Sequence, residues 1–198
     1  MSSLHPRSVR TRAEILDVAW KLFAKKGEAV SMVEVAQAAG LTRQAVYIHF
    51  RSRGGLLVAL VQRADERADI HAKFRKALAV KDPIRRLDAF LAVWFDFVPT
   101  IHPVATTLMR ARSEDPEAAA AWADRMEELR GGYRTLTKSL RRDGALAEGW
   151  TIETSADYLW AGSSVQVWEL LAVDRGWGAS RSASALRKAL AKAVLAAS

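Results

Sequence analysis

The chain has 198 residues, half of them apolar and 26% charged, with a formal net charge of +8, a composition that supports a packed core and argues against disorder. It has no cysteine, which excludes disulfide scaffolds, iron–sulfur clusters, thiolate zinc sites and cysteine nucleophiles. Its four histidines (His5, His49, His71, His102) never fall three or four residues apart, so no helical histidine pair exists for a metal and none is expected.

The positive excess points to a polyanionic partner. It is concentrated: residues 1–55 carry net +5, and the rest of the chain only +3. The N-terminus has no apolar run of signal-peptide type. The longest apolar candidate, Ala89 to Val98, is interrupted by Asp96 and ends at Pro99, short of the ~18 residues a membrane span needs. The expectation is a cytoplasmic protein with no membrane partner.

Helical periodicity dominates, and strand signals are nearly absent: asparagine is missing, so no Asn-Gly hairpin turn occurs. The expected fold class is all-α, with about nine helices. The first spans about 9–26. Thr11 and Glu14 have capping-box spacing, and Ile15, Leu16, Ala19, Leu22 and Phe23 form one apolar stripe. Lys25 and Lys26 suit the negative end of the helix dipole before Gly27 stops it. A short helix over 32–39 follows Ser31, Gly40-Leu41 break it, and a second short helix runs from Thr42 to about Phe50. A longer helix starts at Ser52 and reaches about Leu78. Asp82-Pro83 opens a helix that ends before Pro99, His102-Pro103 opens one to about Arg112, and Asp115-Pro116-Glu117 opens a long one to about Asp143. Thr151 opens another to about Asp174, and Ser182 the last. The expected division is a head, 1–52, and a body, 53–198.

Two helices of about eight residues that meet at a glycine-containing turn are each too short to be stable alone. They must be braced against the first and fourth helices. Val35, Ala36, Ala39, Leu41, Val46 and Phe50 supply the face to be buried. Gly40 takes a turn conformation that strains other residues. This is a helix-turn-helix pattern, at about 32–50. With the core positions removed, the second helix presents Thr42, Arg43, Gln44, Tyr47, Ile48 and His49, with no carboxylate. A face made only for solvation usually mixes in Glu or Asp, whereas one made for phosphates and base edges excludes them. Arg and Gln bind guanine or adenine bidentately, Thr and Ile meet thymine methyls, and hydroxyls reach phosphates. Arg51 and Arg53 follow, and Ser52 begins a helix whose free N–H groups favour a phosphate. Arg7, Arg10 and Arg12 form a basic arm. The candidate DNA-contacting residues are Arg12, Ser31, Thr42, Arg43, Gln44, Tyr47, His49 and Arg53.

These residues resemble the TetR family of bacterial transcriptional regulators. The family pattern is an amphipathic first helix, a helix-turn-helix ending in Tyr-x-x-Phe, and a Ser-Lys-Glu-like start to a long helix. Here the pattern reads Tyr47-Ile48-His49-Phe50 and Ser52-Arg53-Gly54, within about Arg10 to Arg63. Arg53 departs from the usual Lys and Gly54 from the usual Glu, and Gly54-Gly55 weaken that helix start. The resemblance implies an all-helical homodimer whose head binds palindromic double-stranded DNA and whose variable body binds a small ligand and dimerises.

In the body, six of the seven tryptophans lie beyond residue 90. Trp94, Phe97, His102, Met109, Trp122, Met126, Tyr133 and Trp160 are the candidate ligand-binding residues, although large side chains of this kind equally suit a helical core. Asp96, amid apolar neighbours, reads either as a solvent-facing acid or as a counter-ion for a cationic ligand. Tyr158, Gly162, Val165, Trp168, Leu186, Leu190 and Val194 suit a subunit interface of two helices from each copy, or burial within one chain.

No G-x-S-x-G, P-loop or His/carboxylate cluster occurs, so neither catalysis nor a cofactor is expected. The function expected is a ligand-responsive DNA-binding regulator, a repressor released from its operator when a small, largely apolar effector tilts the helix from about Arg53 to Leu78. A regulator without a small ligand and a non-specific architectural DNA binder are the alternative readings.

Overall fold

The computed structural model describes residues 6–196. The helices are α1 (Pro6–Lys26), α2 (Met32–Ala38), α3 (Arg43–Phe50), α4 (Arg53–Ala68), α5 (Ile70–Leu78), α6 (Pro83–Ala111), α7 (Pro116–Arg142), α8 (Ile152–Gly162), α9 (Val165–Glu169) and α10 (Gly178–Val194), with a 3-10 turn at Gly27–Ala29 and a π-turn at Leu170–Asp174. No strand is present among the described residues; Leu146 and Leu195 make an isolated antiparallel bridge. The all-helical expectation holds.

Five boundaries differ from the sequence reading; the last is α10, which starts at Gly178, so that Ser182 lies buried inside it rather than at its start. Helix α1 starts at Pro6, so Thr11 and Glu14 lie inside it rather than at its cap. Glu14 accepts a 2.9 Å hydrogen bond from Arg10 Nε instead. The helix expected over 52–78 breaks at Asp69, which sits in the left-handed region (φ 48°, ψ 44°), a conformation that Asp tolerates better than most residues.

The two helices expected around Pro99 and Pro103 are one, α6. Val98, Ile101, Val104, Ala105 and Leu108 continue the buried stripe of Leu87, Phe90, Leu91 and Phe95 through both prolines. That burial outweighs the helix-breaking tendency of proline, about 3 kcal/mol at each. As one helix, α6 is long and apolar enough to cross a membrane, but 56% of its most apolar window is buried inside the structure, as for a core helix. At the C-terminal end, Ser163 closes α8 and the Ser164 hydroxyl caps α9 by accepting from Val167 N–H.

The chain divides into two compact units: residues up to Ala64 with Ile101–Ala123, and Asp65–Thr100 with residues from Asp124 onward. In the first, the α1 stripe Ile15, Leu16, Ala19 and Phe23 is buried, as are Leu56, Leu57 and Leu60 of α4. Each of these Ile, Leu and Phe side chains contributes about 1.5–3 kcal/mol of burial. Arg63 of α4 grips both carboxylate oxygens of Asp17 in α1 at 2.9 and 3.0 Å.

The second unit is organised around Tyr133, which is fully buried. Its hydroxyl shares a 2.6 Å hydrogen bond with Ser163 Oγ, and Trp94 Nε1 donates to the Ser163 carbonyl at 2.6 Å. Burial pushes the Tyr133 pKa up, so it stays neutral. Phe90 stacks between Tyr133 and Phe74, with centroids 5.2 and 4.5 Å away. Each nitrogen of the buried Arg86 guanidinium finds an acceptor: it donates to the Val80 and Lys81 carbonyls, Ser139 Oγ and Asp143 Oδ2.

Also in this unit, Asp65 of α4 is 3% exposed and meets Arg125 of α7 at 2.5 Å. Burial raises its pKa, against the pull of Arg125 and His71. Removing the cation from a buried pair leaves an uncompensated charge, and Arg125→Ala is expected to cost about 3–5 kcal/mol. An acid whose folded pKa lies above its unfolded value loses stability as pH rises between the two. Urea unfolding is therefore expected to show a smaller Arg125→Ala deficit at pH 5 than at pH 7.5; an equal deficit at both would show that Asp65 is not its source.

Candidate nucleic-acid interface

The two short helices are held by local chemistry at every end. Ser31 and Glu34 close a capping box at α2: Ser31 Oγ accepts from Glu34 N–H at 3.2 Å, and Glu34 Oε2 accepts from Ser31 N–H at 2.9 Å. Hydrogen bonds from Lys26 and Ser31 hold the Glu34 carboxyl down to about 2. Gly40, at φ +66°, ends α2. Leu41 N–H donates to the Ala36 carbonyl and Gly40 N–H to that of Gln37, the Schellman arrangement that needs a left-handed residue. Thr42 Oγ1 then caps α3 by accepting from Ala45 N–H. Val35, Ala36, Val46 and Phe50 are buried, while Ala39 and Leu41 are partly exposed.

This packing turns the rest of α3 outward. Thr42, Arg43 and Gln44 are exposed, Tyr47 and His49 partly so, and Ile48 is 75% exposed. The Arg43 guanidinium lies 5.2 Å from the Tyr47 ring centre and donates to Tyr47 Oη at 3.3 Å. The outward face thus carries a pre-ordered Arg–Tyr pair, an amide, a hydroxyl and an apolar branch. Among the described residues no group of His, Cys, Asp and Glu could hold a metal ion.

Four of the nominated residues have internal duties, Thr42 as the cap of α3 already described. Arg12 Nη1 donates to the His49 carbonyl at 3.0 Å and its guanidinium lies 4.4 Å over the Phe50 ring, clamping α1 to the end of α3. Arg53 Nε donates to the Val30 carbonyl at 3.2 Å. Ser31 spends its hydroxyl on Glu34. The side chain of Arg7 lies outside the described residues.

One expectation is corrected. The Gly54 and Gly55 N–H groups at the start of α4 are not open to a phosphate. Gly54 N–H donates to Asp115 Oδ2 at 3.1 Å and Gly55 N–H to Ser52 Oγ at 2.9 Å, and the Ser52 hydroxyl donates to Glu117 Oε2. The carboxylates arrive from the start of α7, 61 and 65 residues away along the chain. The sequence signal was the Gly54-Gly55 pair; its partners were not legible.

The body candidates are dispersed. His102, Met109 and Trp122 belong to the first unit; Trp94, Phe97, Met126, Tyr133 and Trp160 belong to the second. Trp94, Phe97, Trp122 and Tyr133 are buried, and the others partly exposed. A 360 Å³ groove in the second unit is lined by Phe95, Asp96, Pro99, Ser180, Ser184 and Arg187, with two alanines, and by none of these candidates. Asp96 is exposed, in keeping with a solvent-facing acid.

The interface set is corrected too. Val165, Trp168, Leu190 and Val194 are buried within the single chain, and a Cβ on Gly162 would stand 2.6 Å from Leu190 Cδ2. Gly162 serves a close approach of α8 and α10, not a partner. Leu186 is half-buried, and Tyr158 stays 43% exposed.

Residues 15–60 match the family model described as "Bacterial regulatory proteins, tetR family". Over 161 residues the chain is 27% identical to the helix-turn-helix-type transcriptional repressor BepR of Brucella suis biovar 1 (strain 1330), covering 78% of this chain and 77% of that protein. Its fold is similar to that of a transcriptional regulator from Saccharomonospora viridis solved in complex with choline (TM-score 0.76, 16% identity, 96% of this chain and 100% of that one). It is also similar to NalD, the secondary repressor of the MexAB-OprM multidrug efflux pump in Pseudomonas aeruginosa (TM-score 0.71, 22% identity, 96% and 98%). With the helix-turn-helix built as described and the family model covering it, residues 15–60 form a DNA-binding head of the TetR-family type, and the relative that matches most of the chain is a transcriptional repressor, not an enzyme.

Proposed function

We propose that this chain is a ligand-responsive repressor that acts in the cytoplasm as a homodimer. Each copy lays α3 in the major groove of one half of a palindromic operator, and a small, largely apolar ligand in the body releases the DNA. The observation that carries the reading is the outward, carboxylate-free face of α3, with Arg43, Gln44 and Ile48 exposed and Arg43 already ordered on Tyr47. Thr42, Arg43, Gln44, Tyr47 and His49 are its contact set. Arg12, Ser31 and Arg53 act chiefly by holding the head together. The head extends past the sequence-derived limit of 52 in function, because Ser52 and Gly54 are tied to Asp115 and Glu117. The second copy covers the apolar side chains still exposed at the C-terminal helices: Tyr158, Leu170, Val173 and Trp177.

A regulator without a small ligand is the second reading. The observation that favours it is that the polar atoms of Trp94 and Tyr133 are already satisfied on Ser163. A screen for compounds that both raise the melting temperature and weaken operator binding separates the two readings.

Selection from a random duplex pool supplies the operator. Arg43→Ala and Tyr47→Ala are each expected to weaken binding to the selected duplex about 10- to 100-fold, since a lost base contact costs about 1–3 kcal/mol. Helicity and mass should be unchanged; wild-type affinity in both variants would dismiss α3 as the reading element. Binding is expected to fall about a hundredfold or more between 50 and 200 mM salt, as for several phosphate contacts. Leu170→Glu with Val173→Glu is expected to halve the mass in sedimentation equilibrium; an unchanged mass would place the dimer contact elsewhere.

A further inference from the structure

The exit from α3 is a strained and unusually close joint. Arg51 has φ 58° and ψ −45°, a region that non-glycine residues rarely occupy. It closes a three-residue turn in which Ser52 N–H donates to the Phe50 carbonyl at 2.6 Å. Such a γ-turn with positive φ is rare and needs support from its surroundings.

Two glycines provide room for that support. A Cβ on Gly55 would collide with the Phe50 carbonyl. A Cβ on Gly54 would stand 2.6 Å from Asp115 Oδ2 and 2.9 Å from the backbone nitrogen of Ala118. Both glycines weaken the helix they begin relative to Ala. The offset comes from α7. Asp115 accepts from Gly54 N–H, and Glu117 accepts from the Ser52 hydroxyl, which itself caps Gly55 N–H. Two carboxylates at the positive end of a helix are favourably placed. Asp115 also caps its own helix by accepting from Glu117 N–H at 2.9 Å and Ala118 N–H at 3.2 Å, so one aspartate joins the starts of α4 and α7.

We infer that Asp115 and Glu117 are positioning residues for DNA recognition: through Ser52 and Gly54 they hold the γ-turn at Arg51 and so set the direction in which α3 leaves the head. They touch no base. They reach the recognition helix through its C-terminal residue, Phe50, whose buried ring also takes the Arg12 guanidinium. The inference rests on the DNA-binding reading and assigns to it residues that lie outside the helix-turn-helix.

The test uses the full chain and two duplexes, one selected by the wild type from a random pool and one of scrambled sequence, with circular dichroism and thermal melting of every variant. Glu117→Ala and Gly54→Ala are expected to weaken binding to the selected duplex about tenfold, the scale of a lost hydrogen bond to a charged group. Scrambled-duplex affinity should be unchanged, or higher for Glu117→Ala, which removes a negative charge. Glu117→Gln keeps an oxygen that accepts from Ser52 and is expected to restore most of the selected-duplex affinity.

Equal weakening on both duplexes, selected-duplex affinity at or above wild type in Glu117→Ala, or a Glu117→Gln variant as weak as alanine would each overturn the inference. If the alanine variants melt far below the wild type, Glu117→Gln decides alone: it must discriminate the two duplexes as the wild type does. A wild-type chain that enriches no sequence at all overturns the DNA reading itself, and the inference with it.

Discussion

Helices of seven and eight residues cannot hold their own shape in water, because one nucleation cost is set against too few hydrogen bonds. α2 and α3 are such helices, and much of the first unit serves to remove that deficit. The capping box at Ser31, the Schellman turn at Gly40 and the Thr42 cap satisfy the helix ends. Val35, Val46 and Phe50 bury the inner face. Arg12 and Arg53 donate to the His49 and Val30 carbonyls, from α1 and α4. Once α3 is held in this way, its outer face has no structural task, and Ile48 can stand 75% exposed.

The same bookkeeping sorts the charges. Positive residues in the first unit divide between those that brace and those that face outward. Arg12 is partly buried, and burial lowers its pKa; Arg43 lies on the surface against Tyr47. Acids follow the opposite rule. They are absent from α3, yet two of them at the start of α7, Asp115 and Glu117, accept hydrogen bonds from the start of α4. A carboxylate near the recognition face repels phosphate, but at a helix N-terminus it neutralises unsatisfied N–H groups. Both placements follow from one electrostatic preference applied to different partners.

The second unit shows how polar groups are accommodated in an aromatic core. Ser163 closes α8 and takes both the Tyr133 hydroxyl and the Trp94 indole N–H, so two large rings are buried without orphaned polar atoms. Arg86 finds four acceptors. The Asp65–Arg125 pair is less complete, for Asp65 Oδ1 is buried without a hydrogen bond, and it is there that burial raises a carboxyl pKa.

The helical class, the helix-turn-helix and the composition of its outer face were legible from residues 31–57, because they depend on local periodicity, capping and turn chemistry, which act over three or four residues. The path of α6 through Pro99 and Pro103 was not, since a proline's local cost can be outweighed only by a buried stripe that the whole fold supplies. Nor was the break at Asp69, where an acidic residue adopts the left-handed conformation. The aromatic and small residues beyond 90 announced burial without saying against what. Tertiary packing decided that Gly162 meets Leu190, that Trp94 and Tyr133 share Ser163, and that the glycines opening α4 admit carboxylates from more than sixty residues away. Contacts at that sequence separation leave no periodic trace in the chain; they exist only once the helices have been brought together.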